Sequence, residues 1–206
     1  MYIPEYHRIE DSQVTLAFIK ANPFAILVSS NGGMTATHLP VLAREVNGKL
    51  VLQGHLAKAN DQWQSFTPES ELLTIFHGPH AFVSPSLYES RESVPTWNYG
   101  AVHVYGNARV LEGPSHVNEV LASLIEEFDP PYLEQWASLS NEYRDRMLRH
   151  IVAFEITPSR VETKFKISQN RSRTDQENVM QALAKSPDPT TSAIATLMRQ
   201  RGLGLK

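Results

Sequence analysis

The chain has 206 residues, a formal net charge of −3 and no cysteine. This length suffices for one domain with its own hydrophobic core. The absence of cysteine excludes disulfides and thiolate metal sites and favours a reducing compartment, so we expect a cytoplasmic protein. A pI near 6.2 argues against the basic surface of a nucleic-acid-binding domain. Neither a secretory leader nor an apolar run of membrane-spanning length is present, so we expect no membrane association.

The first half of the sequence predicts one helix and then short strands joined by tight turns. The helix lies in DSQVTLAFIKANP, where Asp11 or Ser12 can cap its start and Pro23 follows its end. A short helical segment is predicted in AKANDQWQSF. Strands are predicted in FAILVS, MTATHLPVLAREV, LVLQGHL, ELLTIFHG, HAFVSPSLY and VPTWNYGAVHVYG.

The second half is richer in helices. Helical spacing predicts helices in SHVNEVLASLIEEF, NEYRDRMLRH and TTSAIATLMRQR, and Thr174 with Glu177 forms a capping box for DQENVMQALAKS. Two strand-like runs, IVAFEIT and RVETKFKIS, lie between these helices. Hairpin-linked strands followed by helices indicate an antiparallel barrel in an α+β arrangement. The sequence has no Gly-x-Gly-x-x-Gly and no P-loop motif, so a nucleotide-like cofactor must bind without a Rossmann fingerprint.

Polar and cationic residues lie in two neighbouring segments, THLPVL and GHLAKAND. Thr35 and Thr37 belong to one strand, while Lys58 and Asn60 lie where another strand turns into a helical segment. Hydroxyl groups, an ammonium group and backbone N–H groups together suit the oxygens of a phosphate. The alternative is that Lys58 is a solvated residue and the threonines are ordinary strand residues.

Histidine is frequent in the strand region, but its spacing does not indicate a metal site. His77 and His80 flank a Gly-Pro pair with no carboxylate near them in sequence, so we expect no bound metal. No Gly-x-Ser-x-Gly elbow accompanies the serines, which argues against a hydrolase triad. Each histidine is interpreted as a hydrogen-bonding residue at a strand end or pocket edge.

Two further clusters could contact a ligand. Trp97 and Tyr99 can stack on a planar group while Asn98 bonds its polar rim, or Trp97 can be a core or interface anchor. In KFKISQNRSR, lysines alternate with Phe165 and Ile167, which makes one face of a strand basic. That face could reach a phosphate, a partner subunit or DNA, or could simply be solvated.

Taken together, the segments resemble one family, the PaiB-like FMN-binding negative transcriptional regulators. The resemblance rests on MYIPEY, THLPVL, GHLAKAND, IFHGPHAFVSPSLY, VPTWNYGAVHVYG and KFKISQNRS, which occur in the family's order across nearly the whole chain. It implies a mainly β, antiparallel split β-barrel with peripheral helices, of the kind found in pyridoxamine 5′-phosphate oxidases and flavin reductases. It also implies a homodimer with FMN at the subunit interface.

The resemblance implies the cofactor-binding residues as well. Ala57-Lys58-Ala59 stands where the oxidases have phosphate-binding residues of the Ser-Arg-Lys type. This difference argues against the oxidase reaction itself. Some contacts could come from the partner chain. The implied FMN-binding residues are Thr35, Thr37, His38, His55, Lys58, Asn60, Trp97, Asn98, Lys166, Gln169 and Asn170.

We therefore expect an FMN-binding split-barrel domain over residues 1–172 and a C-terminal helical extension over residues 173–206. The leading hypothesis is a homodimeric, FMN-binding transcriptional regulator. A flavin-dependent oxidoreductase is one alternative, because flavin with an open face can accept a hydride. A haem-binding split-barrel protein is another. Direct DNA binding is disfavoured by the pI and by the Pro-rich link between the last two helices.

Overall fold

The structure is a computed structural model that describes residues 1–204. Over this range the strands are β1 (Arg8–Ile9), β2 (Phe24–Ser29), β3 (Thr35–Pro40), β4 (Leu42–Val46), β5 (Lys49–Ala57), β6 (Glu71–Val83), β7 (Thr96–Val110) and β8 (Ile151–Lys166). The helices are α1 (Ser12–Ala21), α2 (Pro114–Phe128), α3 (Tyr132–Ser138), α4 (Asn141–Leu148), α5 (Arg173–Ala184) and α6 (Pro189–Gln200). Short 3₁₀ helices lie at Glu5–His7, Asp61–Ser65 and Pro85–Leu87.

The strands form one sheet in the order β3-β2-β6-β7-β8-β5-β4, and β1 pairs with β8. The assigned pairings are antiparallel: β2 lies between β3 and β6, and β5 lies between β4 and β8. Leu27 stands opposite Thr37 in the β2–β3 hairpin. This topology, with helices concentrated after β7, confirms the predicted antiparallel, mainly β fold with peripheral helices.

The chain divides into two compact units. Among the described residues, the first contains Met1–Thr15, His77–Val102 and residues 162–204, and the second contains Leu16–Phe76 and His103–Val161. In the first unit α5 and α6 contact each other, with Val179, Ile194 and Met198 buried. In the second unit α2 contributes Val120 and Leu124 to a core cluster completed by residues of the sheet and the chain after β7, namely Leu42, Leu111 and Ala153.

Three strand predictions differ from the structure. The segment MTATHLPVLAREV, predicted as one strand, forms both β3 and β4, which pair with different neighbours and are interrupted at Val41. The two strands predicted on either side of Gly78-Pro79 are one continuous strand, β6. IVAFEIT and RVETKFKIS are likewise one strand, β8. In both cases the turn-forming residues are accommodated inside a long strand that tertiary pairing stabilises.

The helix predictions differ in two details. The N-cap of α5 is Ser172, whose hydroxyl oxygen accepts a hydrogen bond from Asp175 N, so the Thr174–Glu177 capping box is wrong. Helix α3 was not predicted, because its seven residues are too few for a clear helical periodicity. The cap at Asp11 is as predicted, since its carboxylate accepts from the backbone N–H groups of Gln13 and Val14. In residues 1–204, no helix is both long enough and apolar enough to cross a membrane.

Candidate functional site

Thr37 and Asn60 connect strand β3 to the turn that follows β5. Asn60 caps the 3₁₀ helix Asp61–Ser65, because its Oδ1 accepts a hydrogen bond from Gln62 N at 3.1 Å. The Nδ2 of Asn60 donates to Thr37 Oγ1 at 2.9 Å. Two residues that the sequence assigned to the same site are therefore in direct contact, and the amide of Asn60 is fixed by both of its ends.

Gln62 lies at the centre of this region, and the sequence interpretation missed it. Its side chain is only 4% exposed, and its Nε2 donates to Leu27 O at 2.9 Å and to Ser29 Oγ at 3.3 Å. Its Oε1 is buried without a hydrogen-bond partner among the described residues. A cavity of about 350 Å³ next to it is lined only by polar side chains: Ser29, Asn31, Thr35, Asn60, Asp61, Gln62, Gln64 and Ser65.

Lys58 lies in the same turn, with a fixed backbone and an exposed side chain. Its N–H donates to His150 O at 2.8 Å, and its carbonyl oxygen accepts from Trp63 Nε1 at 3.1 Å. The two backbone bonds determine where the side chain leaves the turn, while the ammonium group stays in solvent. This is a suitable arrangement for recruiting an anion from solution.

The two histidines predicted on this side have different environments. His55 is half-buried on β5 opposite Ala153, and burial lowers the pKa of its imidazole from the ordinary value of 6.5. Its Nδ1 is buried without a hydrogen-bond partner in the described part of the chain. His38 is exposed on β3, with its ring centroid 6.2 Å from that of Phe24. His55 is thus held neutral near physiological pH, whereas His38 faces solvent.

A second group of predicted residues meets at the end of β8. We call it the β8-end cluster: Thr96, Asn98, Lys166, Ser168 and Gln169. Asn98 is completely buried, and its Nδ2 donates to Ser168 Oγ at 2.9 Å. Lys166 Nζ donates to Thr96 Oγ1. Asn98 Oδ1 has no hydrogen-bond partner among residues 1–204.

Gln169 and His7 extend this cluster. Gln169 Oε1 accepts from Ile167 N at 2.8 Å and lies 2.9 Å from His7 Nδ1, while Gln169 Nε2 donates to Phe165 O. The amide orientation makes Oε1 an acceptor, so His7 carries a proton on Nδ1. Burial lowers the pKa of His7, the hydrogen bond to Gln169 opposes this, and the nearby charges of Lys164 and Lys166 lower it further.

His7 could not be recognised as a site residue from the sequence. It lies more than 150 positions before its partner, in a segment that offers no periodicity. Asn170, by contrast, is exposed in the turn after Gln169. The structure thus brings Asn98, Lys166 and Gln169 together with His7 and leaves the side chain of Asn170 at the surface.

Trp97 belongs to an exposed row of rings on β6 and β7, which we call the aromatic strip: His77, His80, Phe82 and Trp97. The Trp97 centroid lies 5.9 Å from those of both His80 and Phe82. Trp97 and Phe82 are 53% and 51% exposed. Trp97 is therefore a surface residue in this chain rather than a core anchor, and an indole face remains accessible to a planar ligand or a partner.

His77 and His80 are neighbours on the aromatic strip, with centroids 5.0 Å apart. His77 is exposed as a whole residue, but partial desolvation of its imidazole lowers its pKa, and the charge of His80 lowers that pKa further. In the described residues no group of three His, Asp or Glu side chains is arranged to hold a metal ion.

The order of the strands and the placement of the helices define an antiparallel split β-barrel of the type found in flavin- and haem-binding proteins. Residues 1–160 match the model of the family described as "Putative FMN-binding domain", and the chain belongs to that family. The match confirms both the predicted family and FMN as its cofactor.

Individual relatives are consistent with this assignment. The chain is 37% identical over 206 residues to "Protease synthase and sporulation protein PAI 2" of Bacillus subtilis, covering 98% of both chains. The flavocytochrome Anf3 of Azotobacter vinelandii has a similar fold, with a TM-score of 0.64 at 14% identity over 80% of this chain and 72% of that one. A FAD- and haem-binding protein of Mycobacterium smegmatis aligns with a TM-score of 0.60 at 11% identity over 78% and 73% of the two chains.

Proposed function

We propose that the protein is a cytoplasmic FMN-binding homodimer of the PaiB type that acts as a negative regulator of transcription, with FMN at the subunit interface. The observation that carries this proposal is the family match over residues 1–160, supported by full-length similarity to the Bacillus subtilis PAI 2 protein. In this proposal residues 1–172 bind the cofactor and residues 173–206 form the helical extension.

The phosphate of FMN is assigned to the turn after β5. Lys58 supplies an exposed ammonium group, and the Thr37–Asn60 pair supplies polar groups whose positions are fixed by a hydrogen bond. Thr35 lines the adjacent cavity. His38 and His55 complete this set, His55 as a neutral imidazole because burial lowers its pKa. Side chains and backbone groups of this kind replace the glycine-rich loop that the sequence lacks.

A second set of contacts is assigned to Trp97, Asn98, Lys166, Gln169 and Asn170, from the same chain or from the partner. Trp97 offers an exposed ring face, and Lys166 offers a cation at the end of β8. When it is bound, FMN supplies reversible electron and hydride transfer. The role of this set is to orient the cofactor.

The chemistry of the unpartnered buried atoms suits FMN. Asn98 Oδ1 is an acceptor, and Nδ1 of neutral His55 can either donate or accept; both atoms lack partners among the described residues. An isoalloxazine ring carries an N–H donor and several acceptors, and a ribityl chain carries hydroxyl groups that do both. Buried polar atoms are normally hydrogen-bonded, so unpartnered ones are sites where a ligand or an ordered water is expected.

The phosphate assignment is tested by replacing Lys58 with alanine. A hydrogen bond to a charged group contributes about 1.5–3 kcal/mol, and solvent exposure reduces that contribution. We therefore expect Lys58→Ala to weaken FMN binding by roughly tenfold and riboflavin binding much less. Lys49→Ala, at the other end of β5, is the matched control and should change neither affinity. Equal losses for both flavins would remove Lys58 from the phosphate site.

The proposed homodimer and the proposed regulation of transcription need separate tests. Light scattering of the FMN-loaded protein should give the mass of a dimer, and a flavin-loaded monomer would contradict an interfacial site. Regulation by direct contact requires sequence-specific DNA binding that weakens steeply with salt. Regulation without such binding would place the DNA contact on another protein.

A further inference from the structure

We infer that Gln62 is the positioning residue of the phosphate-binding turn: its buried amide fixes the turn after β5 to the β2–β3 hairpin and so holds Thr37, Asn60 and Lys58 in place. This inference rests on the proposed function, because it concerns the same FMN site. It adds a residue outside the proposed set of contacts, whose hydrogen bonds hold members of that set in place.

The hydrogen bonds of Gln62 reach both strands of the hairpin. Its Nε2 donates to Leu27 O at 2.9 Å and Ser29 Oγ at 3.3 Å on β2, and lies 3.4 Å from Thr35 O on β3. In the hairpin register Leu27 pairs with Thr37 and Ser29 pairs with Thr35. One amide group therefore bridges the two strands at the two residue pairs that contain the predicted threonines.

The backbone of Gln62 connects the same amide to the turn. Gln62 N donates to Asn60 Oδ1 at 3.1 Å, and Gln62 O accepts from Ser65 Oγ at 2.7 Å. Asn60 in turn donates to Thr37 Oγ1 at 2.9 Å. The hydrogen bonds thus form a closed ring, which runs from the β2–β3 hairpin to Gln62, from Gln62 to Asn60, and from Asn60 back to Thr37 of the hairpin. Lys58 lies two residues before Asn60 in the same turn. Loss of the Gln62 amide removes the side-chain hydrogen bonds that connect this turn to both strands of the hairpin.

The amide nitrogen carries this role, because Oε1 has no hydrogen-bond partner among the described residues. A buried donor group that serves several acceptors is costly to remove, since those acceptors then lose their partner. Gln62→Met keeps the length of the side chain and removes the donor. The control is Gln135→Met, which makes the same replacement at an exposed glutamine of α3, outside the proposed set of contacts and outside the cavity lining.

The readout is the ratio of the FMN and riboflavin dissociation constants of the full-length protein, with thermal unfolding as a parallel measurement. A purely structural defect weakens both flavins equally and leaves the ratio unchanged. We expect Gln62→Met to reduce the preference for FMN over riboflavin about tenfold, and Gln135→Met to keep that preference. The residual affinity of Gln62→Met for riboflavin should stay within about threefold of the unmodified protein.

Two outcomes separate this inference from the function on which it rests. If the unmodified protein binds FMN more tightly than riboflavin and Gln62→Met keeps that preference, Gln62 is not a positioning residue and the FMN proposal stands. If the unmodified protein binds neither flavin, the FMN proposal itself is overturned. Should Gln62→Met not fold, Ser29→Ala removes one acceptor of the same amide and is expected to lower the preference about twofold; an unchanged preference there overturns the inference.

Discussion

The amide nitrogen of Asn98 on β7 donates a hydrogen bond to the hydroxyl oxygen of Ser168, 2.9 Å away, just beyond the end of β8. Both residues are buried, and Ser168 has a φ of 69°, in the left-handed region that residues other than glycine seldom adopt. The bond therefore holds an unfavourable backbone conformation in place, and that conformation directs the chain from β8 into the turn containing Gln169 and Asn170.

Replacement of Asn98 should destabilise the protein. Asn98→Leu leaves the Ser168 hydroxyl without its donor inside the protein, which costs about 1–3 kcal/mol. The expected result is a corresponding drop in the free energy of unfolding measured in urea. Asn107→Leu is the control, because Asn107 lies on the same strand and donates to Pro68 O at the surface; equal losses in both variants would contradict a special role for the Asn98–Ser168 bond.

Gly106 on β7 should tolerate no side chain. A Cβ at this position would overlap the carbonyl oxygen of Thr157 and lie 2.9 Å from the Cα of Pro158, both of them backbone atoms that cannot rotate away. Overpacking of this kind costs roughly 1–3 kcal/mol or more. We expect a lower unfolding midpoint for Gly106→Ala than for Gly54→Ala, where the nearest atom belongs to the Phe154 ring at 3.0 Å. The reverse order would show that the strands do not approach so closely.

Stability should fall as the pH drops below about 6.5. Burial lowers the pKa of both His7 and His55 from their ordinary value of 6.5, so the folded state binds fewer protons than the unfolded chain just below that pH. The contribution of these two histidines to the free energy of unfolding is complete above pH 6.5. It is lost as the pH falls toward the lowered pKa values of the folded state. Urea unfolding across this range measures it.

The histidine variants separate this effect from other titrations. His55→Gln and His7→Gln should each flatten the pH dependence of the free energy of unfolding, because each replaces a histidine whose pKa burial lowers. A His55→Gln profile that coincides with that of the unmodified protein would mean that His55 is as easily protonated in the folded state as in the unfolded chain.

Trp97 should affect flavin affinity through its exposed ring face. Its indole is about half exposed, so Trp97→Ala removes less buried surface than truncation of a core tryptophan would. Stacking of aromatic rings contributes about 0.5–1.5 kcal/mol, so the affinities for FMN and riboflavin should both fall by roughly two- to tenfold and by the same factor. This pattern is the opposite of that expected for Lys58→Ala, because the ring contact does not involve the phosphate. Titration monitored by flavin fluorescence distinguishes the two.

The fold class was predictable because the sequence features that indicate it are either local patterns or motifs shared with the family. Turn residues and alternating apolar positions predict short antiparallel strands, and the order of the quoted segments predicts the split barrel. Strand continuity was not predictable in the same way. Gly78-Pro79 and Pro158 normally end strands, yet β6 and β8 continue through them because neighbouring strands supply the pairing energy that local propensity lacks.

The candidate site was predictable only in part. Thr37 lies in the motif THLPVL and Asn60 in GHLAKAND, and the contact between them follows from the topology of β3 and β5. Gln62 and His7 were missed, because each acts through hydrogen bonds to residues far away in sequence and neither position carries a local signal. Such partners become visible only when the three-dimensional structure brings the segments together.

The most direct test of the central claim is the absorbance spectrum of the purified protein before and after addition of FMN, followed by removal of free flavin. We predict flavin bands that remain with the protein, in an amount approaching one FMN per chain, and no Soret band. A colourless protein that retains no FMN, or one that purifies with haem in place of flavin, would contradict the account.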